Sequence, residues 1–138
     1  MSSLTPSRRA QTDDDLARGG QLARWSVSML PVFVVVYFVT SFVGLYVVFP
    51  ALGLKEGDLF LFAHSVAGWV AAVVGWLLLV GAPAVGLWLG IGARRLGAGK
   101  TAVAGIVLNT VVLLLVAYMV FDEIRMAYIP GFTFPFPG

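Results

Sequence analysis

The sequence predicts an all-α integral membrane protein with three transmembrane helices. Three observations carry that prediction. Hydrophobic residues make up 59% of the 138 positions. Charged residues make up only 12%, about half the share found in soluble domains. The charges are also confined to residues 8–24, 55–58, 94–100 and 122–125. The stretches between them are long enough to cross a ~30 Å hydrocarbon core as helices.

The spans are expected at about residues 29–50, 59–93 and 101–121. Ahead of the first, residues 1–24 are polar and read as a mobile cytoplasmic tail. Thr12 with Asp13, Asp14 and Asp15 could cap a short helix there, ended by Gly19-Gly20. Pro31 sits at the start of the first span, where its missing N–H is not needed, and Pro50 marks the exit.

The second apolar run, 59–93, would be roughly 50 Å long as one helix. A turn at Gly81-Ala82-Pro83-Ala84 would divide it into two spans at the lower limit of length. Charge decides between three spans and four. With three, Arg8, Arg9, Arg18 and Arg24 share a side with Arg94, Arg95 and Lys100, and only Lys55 and Arg125, each beside acids, lie opposite. That is a positive-inside pattern with the N-terminus cytoplasmic and the C-terminus outside. The second span therefore reads as one long helix, tilted or protruding and kinked near Pro83. Residues 25–121 then form a three-helix membrane domain. Residues 122–138 form an aromatic, proline-rich outer tail, in which an extended backbone puts Phe132, Phe134 and Phe136 on one side.

Helix faces give the most informative pattern. On the second helix His64, Gly68, Ala72, Gly75, Leu79, Ala82, Gly86 and Gly90 recur every three or four residues. At ~100° per residue they fall within about 80° of one another. Most are small, as close helix packing in lipid requires. On the third helix Thr101, Gly105, Asn109, Val112, Val116, Met119 and Glu123 form a matching sector. Asn109 lies near mid-membrane and needs partners, because an unpaired amide in hydrocarbon costs several kcal/mol. The expected partners are Thr40, Ser41 or a backbone carbonyl. Tyr37, Ser41 and Gly44 share a face of the first helix.

Motif chemistry is sparse. Gly99-Lys100-Thr101 resembles the end of a nucleotide-binding P-loop, but the first glycine of that motif would fall on Arg94. The stretch reads instead as a cytoplasmic turn anchored by Arg94, Arg95 and Lys100 at the head groups, with Thr101 capping the third helix. Without cysteine, disulfides and thiol chemistry are excluded. His64 is the single histidine, expected as a helix-bridging hydrogen-bonder on the packed face. A His64–Met119 haem or metal pair and a His64–Glu123 proton relay are the alternatives. No paired-carboxylate, serine–histidine or zinc motif is present.

Gly90-Ile91-Gly92-Ala93-Arg94-Arg95, a glycine-bearing turn, and Ala102-Val103-Ala104-Gly105-Ile106-Val107-Leu108 resemble a small bacterial two-helix membrane hairpin family of unknown function. Its pattern is close to G-x-x-A-R-R, a basic turn, then A-x-A-G-x-x-L-G. The resemblance covers about residues 68–120. This chain departs from it in a shorter turn, an added first span, and Asn109 in place of glycine. The resemblance implies a helical hairpin and carries over no catalytic residue.

The expected function is that of a small non-catalytic protein, multi-pass in a bacterial plasma (inner) membrane. It would act as an accessory or scaffold subunit associating through small-residue helix faces. Its partners would be the lipid bilayer and a larger membrane complex or further copies of itself, with no nucleic acid, nucleotide or cofactor. The alternative is a redox or transport component using His64 with Met119 or Glu123.

Overall fold

The computed structural model describes residues 13–53 and 65–128, all in helices and their connecting turns. Helix α1 spans Asp13–Val43, a π-helical turn spans Gly44–Val48, and α2 spans Phe49–Ala51. Helices α3 and α4 span Val66–Arg95 and Lys100–Tyr128. Three helical stretches, Asp13–Ala51, Val66–Arg95 and Lys100–Tyr128, are long and apolar enough to cross a membrane. His64, Thr12, the start of the expected second span and residues 129–138 of the aromatic tail lie outside the described residues.

Boundaries differ from the expected ones at the start of the first span and the end of the last. Asp13–Arg24 is helical where a tail was expected, and α1 runs through Gly19-Gly20 rather than ending there. Three aspartates in its first turn favour a helix start by opposing the helix dipole. Helix α3 is unbroken through Gly81-Ala82-Pro83-Ala84, as the reading of one long helix expects. Helix α4 continues past Phe121 to Tyr128.

The ends are set by local chemistry. Pro50 lacks an N–H, and the turn before it widens so that the Phe49 N–H reaches the Gly44 carbonyl. Ser65 caps α3 by accepting the Gly68 N–H at 3.0 Å. At the other end of α3, Gly97 adopts φ +88. The Gly97 N–H then bonds the Arg94 carbonyl and the Ala98 N–H bonds the Ala93 carbonyl, each at 3.0 Å. This paired closure is a Schellman motif, which needs a left-handed residue at its centre. Helix α4 begins at Lys100, so Gly99 rather than Thr101 stands before its first turn.

The chain forms two compact units. The first joins α1 up to Phe33 with Ala82–Val112. Here α1 and α4 run parallel and α3 antiparallel to both, meeting in layers of small residues. Gly19 packs on Leu96 and the Ala93 carbonyl. Ala23, Ala93 and Ala102 form the next layer, all essentially inaccessible. Ser26, Gly90 and Gly105 follow, then Gly86 with Asn109. The second unit joins Val34–Gly81 with the chain from Leu113 on. Its described residues bury Val116 and Gly68.

Outward faces are apolar. Val35, Phe38, Phe42, Leu77, Leu114 and Phe121 are each more than 60% exposed. So much exposed apolar surface would be unusual on a water-soluble monomer.

Candidate functional site

The buried polar groups of the first unit converge on one point. Ser26 Oγ donates to the Gly86 carbonyl at 2.6 Å. Asn109 Nδ2 donates to the Ser26 carbonyl at 3.0 Å and to the Gly105 carbonyl at 2.7 Å. Both side chains are fully buried. One hydrogen-bonded knot thus ties α1, α3 and α4 together. Asn109 finds backbone carbonyls, as expected, and its partner on α1 is Ser26 rather than Thr40 or Ser41.

Glycine is what lets the knot close. A Cβ on Gly86 would come within 2.6 Å of Asn109 Cγ and closer still to Oδ1. A Cβ on Gly105 would meet Ser26 Cβ at 2.9 Å, and one on Gly90 would meet Ile106 Cγ1 and Ser26 Oγ at 2.9 Å. Asn109 Oδ1 is buried without a hydrogen-bond partner. It occupies the space that a Cβ on Gly86 would need. Turning the amide over would set that oxygen against two carbonyl oxygens, so the geometry fixes the amide orientation.

This arrangement holds helices together. The Ser26 hydroxyl gives its hydrogen to a carbonyl, and among the described residues no base accepts it. Two hydroxyls on the outer faces are satisfied within their own helix. Ser28 Oγ donates to the Arg24 carbonyl at 2.8 Å, and Thr110 Oγ1 to the Ile106 carbonyl at 2.7 Å.

The second unit holds an aromatic and carboxylate group of its own. Trp76 Nε1 donates to Glu123 Oε2 at 2.7 Å. Trp69 meets Trp76 edge-on at 6.0 Å and stacks with Tyr128 at 6.3 Å. Arg125 pairs with Asp122 through Nη2 and, at 3.2 Å, through Nε. The carboxylates of α4 therefore each have a donor inside the unit. Among the described residues no three histidine, aspartate or glutamate side chains are grouped to hold a metal ion.

The remaining expected positions are less tightly held. Gly68 is buried at the cap of α3, and Ala72 and Ala82 are half-buried. A Cβ on Gly75 would meet only Thr40 Cγ2, at 3.8 Å. Met119 is half-buried on α4, while its proposed partner His64 lies outside the described residues. Arg94, Arg95 and Lys100 are exposed around the α3–α4 turn.

Sequence reasoning missed Ser26, because the first span was begun at residue 29. The signal was present. Gly19, Ala23 and Ser26 continue a small-residue stripe at spacings of four and three, visible once Gly19-Gly20 is not taken as a stop. The Trp76–Glu123 bond carries no sequence signal beyond facing positions on neighbouring helices. In comparison with known proteins, the chain matches no family model, no curated protein and no solved structure.

Proposed function

We propose that this chain is a small non-catalytic membrane protein, an accessory or scaffold subunit of a larger membrane complex or of a homo-oligomer. One observation carries the reading. The buried polar side chains of the first unit are spent on joining helices through Ser26, Gly86 and Asn109, and large apolar residues cover the outside. A protein built this way presents fixed apolar surfaces to its surroundings. Its setting in this proposal is a bacterial plasma (inner) membrane.

The proposal includes orientation. Gly19 packs on Leu96, so the start of α1 and the α3–α4 turn share one end of their unit. Arg18, Arg24, Arg94, Arg95 and Lys100 gather there, and that end faces the cytoplasm by the positive-inside rule.

Purification of the tagged chain from its native membrane in a mild detergent tests the reading. The expected result is a stoichiometric companion protein or a defined oligomer, with cross-links leading from the outward apolar faces. A lone monomer under those conditions, with no cross-linked neighbour in the intact membrane, would overturn it.

A further inference from the structure

We infer that the cationic end of the first unit is a seat for anionic phospholipid head groups. The layer of Ala23, Ala93 and Ala102 is inaccessible to solvent. Side chains this small let helix axes approach to ~8 Å. Around that layer stand Arg24 on α1, Arg94 and Arg95 at the end of α3, and Lys100 at the start of α4, all exposed. An axis spacing of ~8 Å is no larger than the Debye length at physiological salt. The four cations, supplied by three helices, therefore bear on the head-group layer from one end of the unit.

Acidic residues at this end do not cancel the four. Asp13, Asp14 and Asp15 occupy the first turn of α1. Against them stand Arg18, Arg24, Arg94, Arg95 and Lys100, so this end keeps an excess of two positive charges, five less three.

The surroundings favour a ligand with both a phosphate and acyl chains. Trp25, beside Arg24, is 53% exposed, and exposed tryptophan suits the head-group level. Ile91 precedes Arg94 and Arg95 by about one turn, Val103 follows Lys100 by about one turn, and both are exposed. Cations at the rim with apolar surface one turn deeper match an anionic phospholipid better than free phosphate or an acidic protein segment. The inference extends the proposed function by naming a lipid partner, and it is read out on the isolated protein, where no companion subunit is needed.

The test is native mass spectrometry of the purified protein after incubation with an equimolar mixture of phosphatidylglycerol and phosphatidylcholine. The expected result is preferential retention of phosphatidylglycerol. Each of Arg24→Gln, Arg94→Gln, Arg95→Gln and Lys100→Gln should reduce that retention about fivefold, the value of one cation near an anionic surface. Arg94→Lys should keep it, and Arg125→Gln in the other unit should leave it unchanged. Helical circular dichroism checks that each variant is folded. Equal retention of the two lipids, or undiminished preference after all four substitutions, would overturn the inference. So would complete displacement of the lipid by millimolar inorganic phosphate, or equal binding of a poly-glutamate peptide.

Discussion

Gly86 and Gly75 are the same residue type on the same helical stripe, yet a methyl group should have opposite effects at the two. At Gly86 it would collide with the Asn109 amide, which is fixed from two sides. We expect Gly86→Ala to destabilise the protein by about 1–3 kcal/mol through overpacking. At Gly75 the nearest neighbour is an ordinary van der Waals contact at 3.8 Å. There Gly75→Ala should be neutral or stabilising by up to ~1 kcal/mol, because alanine is the better helix former. Ser26→Ala should lie between, at roughly 1 kcal/mol, the value of one interhelical hydrogen bond in a membrane protein. Unfolding by sodium dodecyl sulfate in mixed micelles, followed by circular dichroism, would rank the three. A Gly75→Ala cost equal to that of Gly86→Ala would contradict the ordering.

Among the helices, those with uninterrupted apolar runs were readable from composition and charge, and their ends were not. The sequence reading began the first span at residue 29 because charge and glycine look like a tail. The helix begins at Asp13 because Gly19 is a packing residue against Leu96, not a terminator. It closed the third span at Phe121 because acids follow. The helix goes on because Asp122 pairs with Arg125 and Glu123 accepts the Trp76 N–H. The glycine stripe on α3 and Asn109 on α4 were legible, since small-residue spacing and a lone amide in an apolar run are properties of one helix. Ser26 and Trp76–Glu123 depend on which helices become neighbours. Two outcomes follow at this scale. Gly19→Leu should free the first turns of α1, seen as faster amide exchange from Asp13 to Gly19 with the rest of the helix unchanged. Trp76→Phe should cost about 1 kcal/mol by leaving Glu123 without this donor, while Glu123→Gln, which keeps an acceptor oxygen, should cost less. Equal losses from those two variants would show that the hydrogen bond is not what matters there.

For the molecule as a whole, the proposed orientation can be read directly, because the chain has no native cysteine. Single cysteines at Gln21, Gly99 and Met126, exposed positions in the structure, would report without background. Gly99 has open space around it, so the new side chain is accommodated. A membrane-impermeant maleimide added to intact cells should label Met126→Cys and spare Gln21→Cys and Gly99→Cys. All three should react after lysis. Labelling of Gln21→Cys from outside would reverse the orientation, and separation of Gln21 from Gly99 would break the three-span reading.

The knot at Ser26 also sets an order of events during synthesis. The ribosome makes Ser26 first, its acceptor Gly86 60 positions later, and its donor Asn109 83 positions later. At ~5–20 residues per second, the third member arrives about 4–17 s after the first. In that interval the knot can join α1 and α3 only through the single Ser26–Gly86 bond. A nascent chain stopped before Asn109 would carry the early helices without their last fastening. Termination just ahead of that codon should yield a short-lived product, cleared by membrane proteases, whereas a stop after Tyr128 should leave one that persists.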